Sequence, residues 1–376
     1  MTHTSDIHRR AAAAAREHAG AASALSRELH ADPELGLQEH RSSERISRWL
    51  ETRGLRVRRG VAGLPTAFRA DAGHGAFAVG LCAEYDALPD LGHACGHNVI
   101  AATSALAGVA LAAVGSDADL RVVVLGTPAE ETTSGKVAML EAGAFADLDV
   151  AMMVHPSPFD AARIRTRAFS SHTVVFHGRA AHASAAPELG RNAADALTIA
   201  QVAIGLLRQQ LPSGAQVHGI TTDGGAAPGI IPSRVASEWF VRAADLEEHA
   251  EVLRRVSACF EAGARGAGCD VEIEQSSPTL PEMRLDGELV GSWERHAARL
   301  GRIGTPDVVD LGSTDMAAVS HHVPTIHPLI AIDTQGARWH TPEFATAAAG
   351  PSAESAIVDG AVALAWTALD AAEGRR

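Results

Sequence analysis

Two kinds of hydrophobic pattern alternate through the first part of the chain. Continuous apolar runs at residues 76–83, 120–126 and 149–155 have the pattern of strands that are buried on both faces. Helical segments separate them, and an earlier amphipathic helix is predicted over Ser42–Arg53, where apolar residues recur at a spacing of three or four. Strands and helices in this order form right-handed βαβ units, so we predict a largely parallel sheet.

A different pattern occupies residues 168–280. Its predicted order is β-α-β-β-α-β, which is typical of a ferredoxin-like unit. The earlier style then returns and ends in a predicted helix at Ser352–Glu373. We therefore predict an α/β protein in which residues 1–167 and 281–376 form a discontinuous catalytic domain with a largely parallel sheet. Residues 168–280 form an inserted ferredoxin-like α+β domain.

Composition and charge narrow the class of protein. The chain has 376 residues and a formal net charge of −13, so no basic surface for nucleic acid or an anionic membrane is expected. No apolar run reaches the roughly 20 residues that span a bilayer. The N-terminal segment, with arginines on both sides of five alanines, is predicted to be an amphipathic helix rather than a signal peptide. Four cysteines without a CxxC pair favour a cytoplasmic protein with reduced thiols.

The ends of the three predicted strands together carry thiol, imidazole and carboxylate side chains. Functional groups in an open parallel sheet collect beyond the carboxyl ends of the strands, so we expect these side chains to meet at one edge. His340, in RWHTPEF, is a further candidate. The others are Glu84, Asp86, His93, Cys95 and His97 after the first strand, Glu130 and Glu131 after the second, and His155 after the third.

Sulfur, nitrogen and oxygen donors in this mixture suit zinc or a similar divalent ion, and there are more of them than one tetrahedral site needs. In the Glu130–Glu131 pair, one carboxylate can bind metal while its neighbour deprotonates a water. Repulsion between the two would raise the pKa of that base. Cys95 is alternatively a plain buried thiol or the nucleophile of a metal-free Cys–His amidase. Asp86 either caps the following turn or orients a metal-binding histidine.

Several motifs together resemble those of the dinuclear metallo-amidohydrolases of the aminoacylase and carboxypeptidase G superfamily. The resemblance is to the branch that contains p-aminobenzoyl-glutamate, hippurate and indole-acetyl-amino-acid hydrolases, and it extends in order along nearly the whole chain. The motifs are LHADPELGLQE, EYDALPDLGHACGHN, GTPAEE, VHP, HGRAAHASAAPELGRNAADAL, GSTDMAAVSHHVPTIHP and HTPEF.

The resemblance implies a site with two divalent metal ions, with zinc expected first and manganese, cobalt or nickel as alternatives. It implies that Glu130 is the general base and acid, and that Asp86 is a carboxylate that orients a ligand. The implied metal ligands are Cys95, His97, Glu131, His155 and His340.

The resemblance also implies that the inserted domain is a lid that forms a homodimer. His182 in GRAAH corresponds to a histidine that reaches into the partner's active site and stabilises the oxyanion. Arg242 matches a position associated with the substrate carboxylate. Relatives usually have an asparagine before IIP where this chain has Gly229, so their usual substrates do not simply carry over. His93 has no implied role.

We therefore expect a cytoplasmic, homodimeric enzyme that uses metal ions to hydrolyse the amide bond of N-acyl amino acids or dipeptide-like substrates. Neither a nucleic acid nor a membrane is expected as a partner. Two alternatives stay open. One is a metal-free amidase that uses Cys95, and the other is a non-catalytic relative that only binds, toward which Gly229 alone points.

Overall fold

The computed structural model of the protein describes residues 6–374. The helices are α1 (Asp6–Ala31), α2 (His40–Glu51), α3 (His97–Ala112), α4 (Gly135–Glu141), α5 (Ala193–Leu207), α6 (Leu246–Ala267), α7 (Gly287–Arg299), α8 (Met316–Ser320), α9 (Pro342–Ala347) and α10 (Pro351–Gly374). The strands are β1 (Arg56–Arg59), β2 (Phe68–Gly73), β3 (Phe77–Ala83), β4 (Leu120–Gly126), β5 (Val150–Met152), β6 (His155–Ser157), β7 (Ile164–Arg165), β8 (Ala168–His177), β9 (Gln216–Asp223), β10 (Arg234–Ala243), β11 (Asp270–Gln275), β12 (Val309–Asp310), β13 (Thr325–Ile326) and β14 (Leu329–Ala331).

The chain divides into two compact units. The first unit combines the segment that ends at Arg165 with the segment that begins at Met283, and the second unit is Thr166–Glu282. The second unit is thus inserted in the sequence of the first.

The first unit is built on a six-stranded sheet in the order β1-β2-β4-β3-β5-β13. The four strands β4, β3, β5 and β13 run parallel, while β1 and β2 form an antiparallel edge. Strands β3 and β4 are almost wholly buried, because helices cover a parallel sheet on both faces. The largely parallel sheet predicted from the apolar runs is therefore confirmed.

The third strand is shorter in the structure than the sequence predicts. The apolar run predicts one strand over residues 149–155, but β5 pairs with β3 only over Val150–Met152. The chain then leaves the sheet, and His155 begins the separate strand β6, which pairs in parallel with β14. An apolar run predicts burial, and it does not reveal the point at which the pairing partner changes.

Helix α3 is the centre of the core of the first unit. Every residue from His97 to Leu111 is buried, and both α1 and α10 pack against it. Helix α10 is long and apolar enough to cross a membrane by length and composition alone, although 72% of its most apolar 18-residue window is buried inside the fold. Its apolar character is explained by this packing.

The second unit has the predicted ferredoxin-like order, β8-α5-β9-β10-α6-β11. Its antiparallel sheet has the strand order β11-β8-β10-β9, and α5 and α6 pack against it. Asn192 caps the start of α5 and Asp245 that of α6, each by accepting a backbone hydrogen bond. The α/β fold class with its α+β insertion is therefore as predicted.

Candidate metal centre

The loop between β3 and α3 carries the first group of candidate residues. It turns at two glycines in the left-handed region, Gly92 with φ 62° and Gly96 with φ 81°. A Cβ atom on Gly96 would lie 2.5 Å from Cγ of Pro156, so only glycine fits there. The two glycines provide the backbone freedom that these turns need, and Gly96 directly precedes α3, which places His97 in its first turn.

Asp86 connects two of the predicted ligands. Its Oδ1 atom accepts a hydrogen bond from Nδ1 of His97 at 2.9 Å, and its Oδ2 accepts one from the backbone N–H of Glu131 at 3.0 Å. Although burial opposes it, the contact with His97 lowers the pKa of Asp86, which favours the ionised carboxylate. Because Nδ1 of His97 is engaged, Nε2 is the atom that faces the site, 3.8 Å from Oε1 of Glu131.

His155 and Cys95 form a second contact in the same place. The Nδ1–H of His155 donates to the carbonyl oxygen of Pro156 at 2.8 Å, which leaves the lone pair of Nε2 directed at Sγ of Cys95, 3.5 Å away. Burial, followed by the proximity of His97, lowers the pKa of His155 to about 4. A neutral imidazole with a free lone pair is the form that binds a metal ion.

His340 reaches the cluster from the C-terminal part of the chain. Its Nε2 lies 3.6 Å from Oε1 of Glu131, and its backbone N–H donates to the carbonyl oxygen of Ala94 at 2.9 Å. The side chain is 55% exposed, so it borders the open side of the cluster. The contact with Glu131 raises the pKa of His340.

The five predicted ligands therefore lie together, and their arrangement fits metal binding. Their closest donor atoms are 3.5–3.8 Å apart, close to the separation of roughly 3.4 Å expected for two atoms bound to one zinc ion. Nε2 of His97 and Oε1 of Glu131 are buried without a hydrogen-bond partner among residues 6–374. Three overlapping groups could each hold an ion, and they are Cys95–His97–His155, Cys95–Glu131–His340 and His97–Glu130–Glu131.

The environment of Cys95 does not suit a nucleophile. It is a free cysteine, and burial together with the carboxylate of Glu131 raises the pKa of its thiol well above the usual value. A nucleophilic cysteine needs the opposite, a lowered pKa in an electropositive setting. The electrostatics thus weigh against a metal-free amidase, whereas a bound cation would stabilise the thiolate.

The pKa of Glu130 is raised well above its usual value, which is the direction predicted for a general base. The prediction attributes this raised pKa to repulsion from Glu131, whereas in the structure other causes are larger. Burial contributes most, Glu84 comes next, and the adjacent Glu131 follows. The sequence indicates Glu84 only as a carboxylate at a strand end, without a role of its own.

A buried lysine lies behind Glu130, and sequence reasoning missed it. Nζ of Lys136 contacts Oε1 of Glu84 at 2.5 Å and Oδ1 of Asp315 at 2.7 Å. Although burial opposes it, Asp315 and Glu84 raise the pKa of Lys136 well above normal, so the ammonium group is charged. The presence of Asp315 in the GSTDM motif was the one sequence signal for this pair. Nothing in the sequence, however, connects Asp315 with a lysine 179 positions earlier.

The remaining residues that the sequence singles out are not members of the cluster of predicted ligands. His182 and Arg242 both belong to the second unit. His182 is exposed, and the guanidinium of Arg242 lies 4.4 Å above the ring of Phe169. Gly229 is exposed, with its carbonyl oxygen accepting from the backbone N–H of Ala183 at 3.0 Å. His93 is buried in the first unit beside the ring of His30, and burial lowers its pKa to about 3.

Comparisons with known proteins identify the family of the chain. Residues 80–367 match the family described as Peptidase family M20/M25/M40. The Xaa-Arg dipeptidase of Mus musculus is 39% identical over 97% of this chain and 88% of its own length. One subunit of the p-aminobenzoyl-glutamate hydrolase of Escherichia coli is 31% identical over 73% of this chain and 61% of its own.

Solved structures support the fold. A dinuclear metal-binding peptidase of the M20 family from Bacillus subtilis aligns with a TM-score of 0.72 and 22% identity, over 95% of this chain and 99% of its own. An aminobenzoyl-glutamate utilization protein from Klebsiella pneumoniae aligns with a TM-score of 0.73 and 18% identity, over 95% and 97%. The predicted enzyme class, a metal-dependent hydrolase that acts on amide bonds, is confirmed at this level. On the matched region and on these relatives, the chain belongs to peptidase family M20/M25/M40.

Proposed function

We propose that this protein is a dinuclear metallo-dipeptidase that also accepts N-acyl amino acids. The observation that carries the proposal is the convergence of one thiol, three imidazoles and one carboxylate, from four separate segments, around buried atoms that have no hydrogen-bond partner among the described residues. These ligands are Cys95, His97, Glu131, His155 and His340.

Two ions, rather than one, suit the charge of the site. The acidic groups around it are numerous and largely buried, and the one described lysine among them is Lys136. Divalent cations offset this excess of negative charge, which would be costly to bury alone. Zinc suits a mixture of thiolate, imidazole and carboxylate ligands, and manganese, cobalt and nickel are the alternatives for the test. The acidic groups are Glu84, Asp86, Glu130, Glu131 and Asp315, and Cys95 would join them as a thiolate when a cation is bound.

Each protein group then has a defined task. The ions supply Lewis-acid polarisation of the substrate carbonyl and acidify water when they are bound. Glu130, with its raised pKa, takes a proton from the attacking water and passes it to the leaving amine. Asp86 keeps Nδ1 of His97 protonated, so that Nε2 is available as a ligand.

The substrate class follows from the chain's relatives and from its own chemistry. The Xaa-Arg dipeptidase of Mus musculus matches over 97% of this chain, so dipeptides with a basic C-terminal residue are the first substrates to test. We propose that Arg242 binds the substrate's terminal carboxylate, as guanidinium groups do well. Burial, followed by Arg167, lowers the pKa of Arg242, and an anionic ligand would relieve this electrostatic cost.

We further propose a homodimer in which His182 stabilises the oxyanion in the partner's site. Nδ1 of His182 accepts from the backbone N–H groups of Ser184 and Ala185, both at 3.3 Å, so Nε2 carries the proton and can donate. The second unit also has surface that suits a partner. Strand β9 is an exposed sheet edge, and α5 carries the exposed apolar residues Ile199, Val202 and Leu206. A cytoplasmic location completes the proposal.

Metal removal tests the reaction class. The purified protein is treated with excess chelator, dialysed, and reloaded with zinc, manganese, cobalt or nickel, while released amine is measured on Xaa-Arg and Xaa-Lys dipeptides, N-acetyl amino acids and p-aminobenzoyl-glutamate. We expect activity to vanish without metal and to return with at least one ion, with the highest kcat/KM on the basic dipeptides. Full activity after complete metal removal would overturn the proposal, and a preference for an N-acyl amino acid would overturn its substrate part.

A further inference from the structure

The loop between β4 and α4 carries Glu130 and Glu131, and its backbone is unusual. Ala129 has a φ of 60° and Ser134 a φ of 59°, so a residue with a side chain is in the left-handed region on either side of the glutamate pair. Such residues cost free energy unless their surroundings hold them. Ala129 is fully buried, which means that it needs a specific partner for its backbone.

Buried carboxylates supply these partners. Oε1 of Glu39 accepts a hydrogen bond from the backbone N–H of Ala129 at 2.8 Å, and Oδ2 of Asp315 accepts one from that of Lys136 at 2.9 Å. Together with Asp86, which holds the N–H of Glu131 at 3.0 Å, three acidic side chains hold three points along this segment. They come from positions far apart in the sequence.

Glu39 and Asp315 are both completely buried, and a carboxylate in such a place is retained only when it is hydrogen-bonded or paired. Asp315 is paired with Lys136, whereas Oε2 of Glu39 has no hydrogen-bond partner among residues 6–374. Glu39 closes the LHADPELGLQE motif and Asp315 lies in the GSTDM motif. Neither is among the proposed metal ligands or substrate-binding residues. Their common property is the hydrogen bond to the Glu130–Glu131 segment.

We propose that Glu39 and Asp315 are positioning residues that hold this segment in its left-handed conformation and thereby aim Glu130 and Glu131. The inference rests on the proposed function, since it assigns to Glu131 a metal ion to bind. Asp315 acts at two points, because its Oδ1 also contacts Nζ of Lys136. Glu39 acts at one point, directly on the backbone of Ala129.

A set of variants at Glu39 tests the proposal. Glu39→Met keeps the length of the side chain and removes the acceptor, whereas Glu39→Gln keeps an acceptor oxygen. Zinc affinity and stoichiometry are measured by competition with a chromophoric chelator, followed by kcat and KM on a cleaved dipeptide. We expect Glu39→Met to lower the affinity for one ion by about 10–100-fold, the range for residues that orient ligands, and Glu39→Gln to stay within about threefold.

Ala129→Gly separates positioning from general stability. Glycine adopts a φ of 60° without strain, so adding Ala129→Gly to Glu39→Met should restore most of the zinc affinity. The matched control is Asp149→Leu. Oδ2 of Asp149 accepts from the backbone N–H of Ala78 at 2.8 Å, at the opposite end of β3. We expect this control to reduce the melting temperature and leave zinc affinity unchanged.

The outcomes are distinct. Wild-type zinc affinity in Glu39→Met, or no recovery on adding Ala129→Gly, would overturn the positioning role. If Glu39→Met does not fold, Asp315→Asn takes its place in the test. Asparagine has one acceptor oxygen where Asp315 has two, so either the backbone N–H or Nζ of Lys136 loses its acceptor. An unchanged zinc affinity in Asp315→Asn would equally overturn the proposal. A wild-type protein that binds no divalent metal would instead overturn the proposed function.

Discussion

Asp86 accepts the Nδ1 proton of His97 at 2.9 Å, and this single contact decides which nitrogen of the imidazole faces the other donors. Both side chains are buried, so water cannot take over this hydrogen bond if one of them is lost. The same carboxylate also accepts the backbone N–H of Glu131. Asp86 thus sets the orientation of one predicted ligand and the position of another.

Replacing Asp86 by asparagine should therefore weaken metal binding without touching a ligand. We expect zinc affinity to fall by about 10–100-fold, because the charged acceptor that fixes the tautomer of His97 is lost. Chelator competition on the purified variant measures the loss. Equal zinc affinity in Asp86→Asn and the wild type would contradict this role.

Glu130→Gln should separate catalysis from metal binding. The amide cannot take a proton from water, so kcat should fall by a factor on the order of 10²–10⁴. The number of zinc ions bound per chain should not change, since Glu131 and the other ligands are intact. Parallel measurement of kcat and zinc content provides the check, and a variant that retains more than a tenth of wild-type kcat would remove Glu130 from the mechanism.

The two glycines of the Cys95 loop offer a matched pair for stability. Alanine at either position adopts a left-handed φ, which costs roughly 1–2 kcal/mol. At Gly96 the new Cβ would also lie 2.5 Å from Pro156, whereas at Gly92 the nearest atom is 3.8 Å away. We expect Gly96→Ala to lower the free energy of unfolding by about 1–3 kcal/mol more than Gly92→Ala. Urea unfolding of the two variants compares them directly, and equal losses would contradict the steric argument.

Gly229 has no atom within 4 Å of the place where a Cβ would be, so an asparagine fits without strain. We expect Gly229→Asn to change the free energy of unfolding by less than about 0.5 kcal/mol. It introduces the side chain that the resemblance implies at this position, which precedes the backbone contact between His182 and Ile230. If that side chain helps to bind the substrate, the kcat/KM ratio should shift toward N-acyl amino acids by more than threefold. Gly224→Asn is the control, since Gly224 is equally open. An identical shift in both variants would argue against a specific role at position 229.

Asp370 provides a prediction about acid stability. Although burial opposes it, hydrogen bonds from His296, His8 and Ser292 lower its pKa. A carboxyl with a lowered folded-state pKa stabilises the protein above its unfolded pKa of about 3.9, and this contribution is lost as the pH falls through the folded value. Asp370→Asn should therefore cost about 1–3 kcal/mol at pH 7.

The difference between Asp370→Asn and the wild type should shrink steadily below about pH 4, which urea unfolding at several pH values measures. The exposed Asp6, paired with Arg9 on the surface of α1, gives a control whose replacement by asparagine should have little effect. A difference between Asp370→Asn and the wild type that stays constant from pH 7 to pH 3 would contradict the assigned cause.

Much of this fold could be predicted because burial leaves a direct mark on sequence. Strands β3 and β4 are apolar throughout since both faces are covered, and the reactive groups that follow them meet at one edge of the sheet for topological reasons. The place of His340 beside Glu131 depended on the resemblance of its motif, because no periodicity connects positions 209 residues apart.

The supports of the site could not be predicted in the same way. The contact between Glu39 and the backbone of Ala129 joins residues 90 positions apart, through an atom that is identical in every residue except proline. The pairing of Lys136 with Asp315 is equally hidden, since a lysine in a polar segment is typical of a solvated surface. The sequence reveals which residue types can bind a metal ion, whereas the orientation of those residues depends on long-range backbone contacts that it does not reveal.

The packing of α3 has a consequence for biosynthesis. This helix begins at His97, and it is covered by α1 from the start of the described chain and by α10 from its far end. A nascent chain that has not yet released residues 340–374 from the ribosome lacks both His340 and the helix that covers α3. The candidate metal centre can therefore be completed only once this late segment has emerged.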